Sequence, residues 1–252
     1  MITLGEYRLN RIGLGTNRLT DRPESRSFLE SAVGAGVNFI DTAHLYIGGA
    51  SESTIGEMLA ASSDDLVVAT KGGYNGGGPE RLHAELEQSF ERLRVDTIAL
   101  YYLHRVDPVT PLEETLAVLK EYRDAGRIEH LGLSEVSVEE IDRARSVAPI
   151  AAVQNEYSLS ERMHDEVVDY CADENLVFVP FYPLSAGNES MLGEIAGRYD
   201  ASPQQIVLAW LLKRSPAMLP IPGTLSLEHL RQNLAALEIE LSDQDFDALS
   251  DG

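Results

Sequence analysis

Short apolar runs rich in β-branched and aromatic residues alternate with amphipathic stretches along the whole chain. The runs are RIGLGT (11–16), VNFID (37–41), LVVATK (66–71), TIALYYLH (97–104), IEHLGLS (128–134), IAAVQN (150–155), LVFVPF (176–181) and AMLPIP (217–222). Each reads as a strand. Between them the apolar period changes to that of a helix. In LHAELEQSFERL, Leu82, Leu86, Phe90 and Leu93 share one face, and Leu227, Leu230, Leu234 and Leu237 repeat that spacing in SLEHLRQNLAAL. Helix starts are marked by Pro23 after Asp21, Ser51 with Glu52, Pro79 with Glu80, and Pro111 with Glu113 and Glu114. Later starts fall at Ser137, Ser160, Pro203 and Ser226, and Ser242 caps a last short helix in LSDQDFDALSDG.

Strands buried on both faces read as near-continuous hydrophobic runs, as several do here. Eight strands in βα alternation favour a closed (β/α)8 TIM barrel over an open doubly wound sheet, which more often has about five to seven strands. No segment longer than about a dozen residues lacks an assignment, so residues 1–252 are expected to form a single barrel domain.

Composition narrows this picture. At 252 residues, 44% hydrophobic and 24% charged, the chain matches a globular protein with a sizeable core. The longest apolar candidate, LVFVPFYPL, has about half the ~18 residues that a membrane span needs. MITLGEYRLNR lacks the apolar middle of a signal peptide. Cys171 is the only cysteine, which excludes disulfides and thiolate clusters; it reads as a half-buried helical residue. A net charge of −21 argues against nucleic acid or an anionic membrane as partner. The expectation is a cytoplasmic monomer acting on a small molecule. Lysine occurs only at 71, 120 and 213, so Lys71 is not routine surface charge.

In barrels of this kind the reactive groups stand at the C-terminal ends of the strands. Those positions carry Asp41, Lys71, His104, Ser134, Gln154 with Asn155, and Phe181 with Tyr182. Tyr46 follows Asp41 by five residues. Free tyrosine has a pKa near ~10, and a nearby ammonium lowers it. Asp41 behind Lys71 would keep that ammonium charged and aimed, making Tyr46 a tuned general acid. His104 would hydrogen-bond the substrate oxygen. No metal-binding HExxH is present, and His44 with His104 lacks a third ligand, so no metal is expected; His44 stands close enough to Tyr46 to line the pocket. GGYNGGG (72–78) has no GK[ST] after it and reads as a flexible turn.

GVNFIDTAHLY with GASESTIG, VVATKGG, YYLHRVDP, GLSEVS, AVQNEYSL, FYPLSAG and LPIPGT with EHLRQNLAAL resemble successive signatures of the aldo-keto reductase family. They stand in family order from about Gly13 to Leu237, and together they are highly specific. The resemblance implies a (β/α)8 barrel that binds NADP(H) and reduces an aldehyde or ketone to an alcohol. It places the catalytic tetrad on Asp41, Tyr46, Lys71 and His104. Ser134 and Gln154 would hold the nicotinamide carboxamide, with Asp41 nearby, while the ring stacks on Phe181. Pro183, Leu184 and Ser185 would follow the pyrophosphate, with Gly15, Thr16 and Asn17 near the cofactor. Thr224, His229, Gln232 and Asn233 match the segment that grips the adenosine end.

The sequence departs from the family pattern in four places. Glu135 stands where many members have asparagine. Gly223 and His229 replace a lysine and an arginine used on the 2′-phosphate, which leaves Thr224, Ser226, His229 and Arg231 as its partners; NADP is expected, with NAD as the alternative. The segments after Lys71 and after Gly187 are short for the family, which implies shortened substrate loops and an open pocket. Two other functions stay open at this point: a cofactor-sensing subunit of the same fold, and a Schiff-base aldolase using Lys71.

Overall fold

A computed structural model describes residues 1–60, 66–76 and 78–251. The chain opens with an antiparallel hairpin, β1 (Ile2–Leu4) and β2 (Tyr7–Leu9). There follow β3 (Leu14–Gly15), α1 (Pro23–Gly34), β4 (Phe39–Asp41), α2 (Ala50–Leu59), β5 (Val67–Gly72), α3 (Gly78–Leu93) and β6 (Ile98–Leu103). Next come α4 (Leu112–Asp124), β7 (Ile128–Ser134), α5 (Val138–Arg145), β8 (Ile150–Gln154), α6 (Asp165–Asp173) and β9 (Val177–Phe178). The last helices are α7 (Glu189–Arg198), α8 (Pro203–Arg214), α9 (Leu227–Ala235) and α10 (Asp243–Asp251).

Strands β3 to β9 form one parallel sheet in sequence order, as expected for a (β/α)8 barrel. The eighth predicted strand, 217–222, closes the ring by single bridges instead of a regular ladder. Phe178 N donates to Ala217 O and Leu219 N to Phe178 O on one side. Gly13 N donates to Pro220 O on the other, and Gly15 bridges Gly223. Pro220 and Pro222 have no N–H to give, which explains the sparse ladder. A Cβ on Gly15 would stand 2.7 Å from Ile221 O, so the closure needs glycine there.

Two layers of core follow from the period-2 alternation of the strands. Inward-facing Phe39, Val67, Ala69, Leu100, Tyr102, Ala152, Val177, Leu219 and Ile221 fill the barrel, and Leu4 and Leu9 of the hairpin plug its lower end. Outward-facing Ile40, Val68, Tyr101, Leu133 and Val153 pack under the helices. The inward positions continue upward from Phe39 to Asp41, from Ala69 to Lys71, from Tyr102 to His104 and from Ala152 to Gln154. The same alternation that builds the core therefore delivers four polar groups to one rim.

Most helix starts fall where the capping signals put them. Ser137 and Ser202 form capping boxes with Glu140 and Gln205, and Ser226 caps α9. Ser242 Oγ accepts from Asp245 N at the start of α10. One expected start is displaced: α6 begins at Asp165, not at Ser160. Ser158 instead closes a turn, with Glu161 N donating to its Oγ and its own N donating to Glu161 O. Cys171 is wholly buried rather than half-buried, and burial pushes its thiol up to about 12. Gly77 of the expected glycine turn lies outside the described residues; Gly73, Gly76 and Gly78 all take positive φ.

Candidate active site

Lys71 Nζ, wholly buried at the rim, donates to Asp41 Oδ1 at 2.6 Å, to Thr42 O at 2.6 Å and to Tyr46 OH at 3.4 Å. These three bonds use every ammonium proton. Tyr46 reaches this position because the chain follows β5 as far as His44, whose N donates to Lys71 O. It then turns through a short 3-10 segment, Tyr46–Gly49, in which Ile47 and Gly48 take left-handed φ of 48° and 63°. The phenol thus folds back over the rim, as the five-residue gap after Asp41 suggested.

The GASESTIG segment holds that turn in place. Ser51 Oγ shares hydrogen bonds with Thr42 Oγ1 at 2.7 Å and Thr16 Oγ1 at 2.9 Å, all three buried. The buried Glu52 carboxylate accepts from Thr70 Oγ1 at 2.6 Å and pairs with Arg92 at 3.2 Å. Arg92 also donates to His44 O at 2.9 Å, which ties α3 to the turn. Sequence reading took Ser51 and Glu52 for helix starters only. Their partners lie up to forty residues away, where no spacing rule connects them.

His104 is almost fully buried, and its ring meets Tyr46 edge-on at 6.1 Å and Tyr74 at 4.9 Å between centroids. Burial, reinforced by the charges of Lys71 and Arg105, drives its pKa down to about 2, so the imidazole stays neutral. Its Nδ1 is buried without a hydrogen-bond partner among the described residues. An orphaned acceptor is better tolerated than an orphaned N–H, which favours the tautomer with the proton on Nε2.

The electrostatics of Tyr46 differ from the expectation. Burial raises its pKa; Lys71 pulls it down and Asp41 pushes it up, and the net is above the ordinary phenol value. Lysine alone does not win against desolvation here. Burial pulls Lys71 down, but Asp41 and Tyr46 more than offset it, so the amine is held protonated. Asp41 is pushed up by burial against the bonds from Lys71 and Gln154. A raised and fully engaged Lys71 is the opposite of what a Schiff-base nucleophile needs.

Gln154 Nε2 donates to Asp41 Oδ2 at 2.7 Å, and Arg105 Nη1 donates to Ser134 Oγ at 3.1 Å. Ser134 and Gln154 are register partners at the ends of β7 and β8, both buried at the rim, an amide beside a hydroxyl. Phe181, Tyr182 and Pro183 line a cleft with Gly15, Thr16, Asn17, Arg18, Asp41, Tyr46 and Gly223. It continues along Arg18 and Gly223 to Thr224 and Leu225. A second cleft, on the other side of Lys71, is lined by His44, Gly72, Tyr74, Asn75 and His104.

Other expected residues stand further off. Leu184 is half-buried and Ser185 exposed; among the described residues neither lines the groove. His229 and Gln232 are exposed on α9 and Asn233 is buried in it. Glu135 takes φ 56° and accepts from Glu156 N at 2.6 Å, a left-handed position that asparagine tolerates better. Arg18, unmarked by sequence reading, donates to Gly223 O at 3.3 Å. A cation therefore stands beside the glycine that lacks one.

The sequence profile described as "Aldo/keto reductase family" matches residues 11–190 and 188–251. Pyridoxine 4-dehydrogenase of Escherichia coli is 35% identical over 96% of this chain and 94% of its own. A thermostable aldo-keto reductase solved with the inhibitor epalrestat superposes with a TM-score of 0.93 at 30% identity, covering 100% of this chain and 98% of that one. An aldo/keto reductase from Klebsiella pneumoniae, solved with NADP and acetate, gives a TM-score of 0.89 at 27% identity, covering 99% and 94%.

Proposed function

The chain belongs to the aldo/keto reductase family of oxidoreductases, and on that premise we propose that it reduces an aldehyde or ketone to the alcohol with NADPH, Tyr46 delivering the proton. The observation that carries the role of Tyr46 is its hydroxyl beside the buried Lys71–Asp41 pair. Bound in the groove, reduced nicotinamide supplies a hydride to the carbonyl carbon. The substrate oxygen accepts hydrogen bonds from Tyr46 OH and His104 Nε2–H. As negative charge builds on that oxygen, it takes the proton of Tyr46, and the ammonium of Lys71 stabilises the phenolate left behind. Asp41 holds Lys71 charged and aimed.

For the cofactor, Ser134 and Gln154 are assigned to the carboxamide, Phe181 to the ring, and Gly15, Thr16, Asn17 and Pro183 to the phosphates and ribose. Thr224, Ser226, His229, Gln232 and Asn233 take the adenosine end, and Arg18 adds the cation that position 223 lacks. One barrel is read as carrying the whole activity, in a cytoplasmic monomer. Among the described residues no helix is long and apolar enough to cross a membrane.

Two measurements test this reading. Equilibrium titration should show NADPH binding several-fold tighter than NADH, followed by steady-state oxidation of NADPH with an aldehyde panel. Equal affinities would remove the 2′-phosphate assignment; no turnover with any aldehyde would remove the reductase. The pH profile is the second. Reduction needs Tyr46 protonated and His104 neutral. Tyr46 is raised from 10 and His104 is lowered to about 2, so both conditions hold through neutral pH. kcat/KM for reduction should show no acid limb near the ordinary histidine value of ~6.5 and should fall only above ~10. A limb near 6.5 traced to His104 would mean that it does charge.

A further inference from the structure

Arginines that serve structure in this protein spend several nitrogens on partners. Arg11 donates from Nε to Met218 O and from Nη2 to Leu212 O and Ser215 O. Arg162 contacts both oxygens of Asp165. Arg105 behaves differently. Its Nη1 alone is engaged, donating to His104 O at 2.6 Å and Ser134 Oγ at 3.1 Å. Nε and Nη2 form no hydrogen bond to any described residue.

The guanidinium is half-buried between two aromatic walls, 5.3 Å from the Tyr74 ring centre and 5.9 Å from that of Phe181. Tyr74 lines the cleft of His104 and Lys71, and Phe181 the groove of Tyr46, so Arg105 contacts one ring from each. The other cations around the first cleft are neutralised: Lys71 by Asp41, Arg81 by Glu85 and Arg92 by Glu52. Among the described residues no carboxylate pairs with Arg105. Arg18 of the neighbouring groove also has no carboxylate partner among the described residues, but it stands beside Gly223, at the end assigned to the cofactor.

Resting on the reductase reading, we propose that Arg105 is the substrate-recognition residue for a carboxylate, and that the preferred substrates are aldehydes or ketones bearing a carboxylate a few atoms from the carbonyl. The planar Nε/Nη2 edge presents two parallel N–H donors that match a carboxylate bidentately. His104 and Arg105 both contact the Tyr74 ring, at 4.9 and 5.3 Å, so one ligand can place its carbonyl oxygen at His104 and Tyr46 and its carboxylate at Arg105. The low-dielectric walls strengthen that attraction.

The test compares matched pairs in the wild-type enzyme and in Arg105→Gln and Arg105→Lys: 4-carboxybenzaldehyde against methyl 4-formylbenzoate, and 4-oxobutanoate against its methyl ester. The quantity read is the ratio of kcat/KM for acid over ester, which general damage to the site does not move. Wild type should favour the acid; Arg105→Gln should lower the ratio roughly 10- to 100-fold, mainly through KM, and Arg105→Lys should restore part of it. No preference in wild type, or a ratio unchanged by Arg105→Gln, overturns the proposal. So does a stronger preference for glyceraldehyde 3-phosphate over glyceraldehyde than for either carboxylate over its ester. Equilibrium binding of benzoate against benzamide is read in the same proteins and needs no turnover. If no aldehyde is reduced, the reductase reading fails, and loss of benzoate binding in Arg105→Gln still decides the role of Arg105.

Discussion

Tyr46→Phe is expected to lower turnover with any carbonyl substrate by roughly 10²- to 10⁴-fold, the range for losing a positioned general acid. The substitution removes one oxygen and little else. The ring keeps its edge-on contact with His104 at 6.1 Å, and Lys71 keeps its 2.6 Å bonds to Asp41 and Thr42 O. Nothing assigned to the cofactor's carboxamide depends on the phenol: Gln154 is held by Asp41 and Ser134 by Arg105. NADPH affinity should therefore stay within about twofold of wild type while kcat collapses. That split separates loss of the acid from loss of the site. Turnover retained in Tyr46→Phe would sink the assignment, since among the described residues no other hydroxyl hydrogen-bonds Lys71 Nζ.

The fold was legible because it repeats. Eight βα units each carried their own apolar run and most carried a capping signal, so errors in one did not spread. What escaped were elements with weak local signals. The hairpin at Ile2–Leu9 has strands of three residues, and α7 starts at Asn188 in a left-handed conformation instead of an extended cap. The eighth strand was visible as an apolar run, but its two prolines reduce it to bridges.

The site divides along the same line. Asp41, Lys71, His104 and Gln154 continue inward-facing positions of their strands, so the period that marks the core also marks them. Tyr46 was found through its distance from Asp41. Glu52, Arg92, Arg18 and Arg105 act through partners far away in sequence, and their chemistry emerges only when the barrel brings strands together. The direction of the Tyr46 shift was beyond sequence for a related reason. It depends on how strongly burial opposes Lys71, and burial is a property of the folded rim.

The second large effect concerns the pair beneath that tyrosine. Lys71→Met should cost roughly 3–5 kcal/mol of stability, since it strands the Asp41 carboxylate in a buried site with Gln154 as its only remaining side-chain donor. For a chain of this length that is a fall in Tm of roughly 10 °C. Asp41→Asn should also be destabilising, leaving a buried ammonium with neutral acceptors alone: the introduced amide oxygen, Thr42 O and Tyr46 OH. The double variant, Asp41→Asn with Lys71→Met, removes both charges and should recover most of the lost stability, because desolvation of a buried pair consumes much of its attraction. Activity should follow a different course. All three variants lack an ammonium aimed at Tyr46 by a carboxylate, so all three should be strongly impaired, the double no better than the singles. A double variant as unstable as Lys71→Met would show that the cost came from packing and not from an unpaired charge. A double variant with restored turnover would show that the phenol needs no cation beside it, and would leave the pair with a structural role alone.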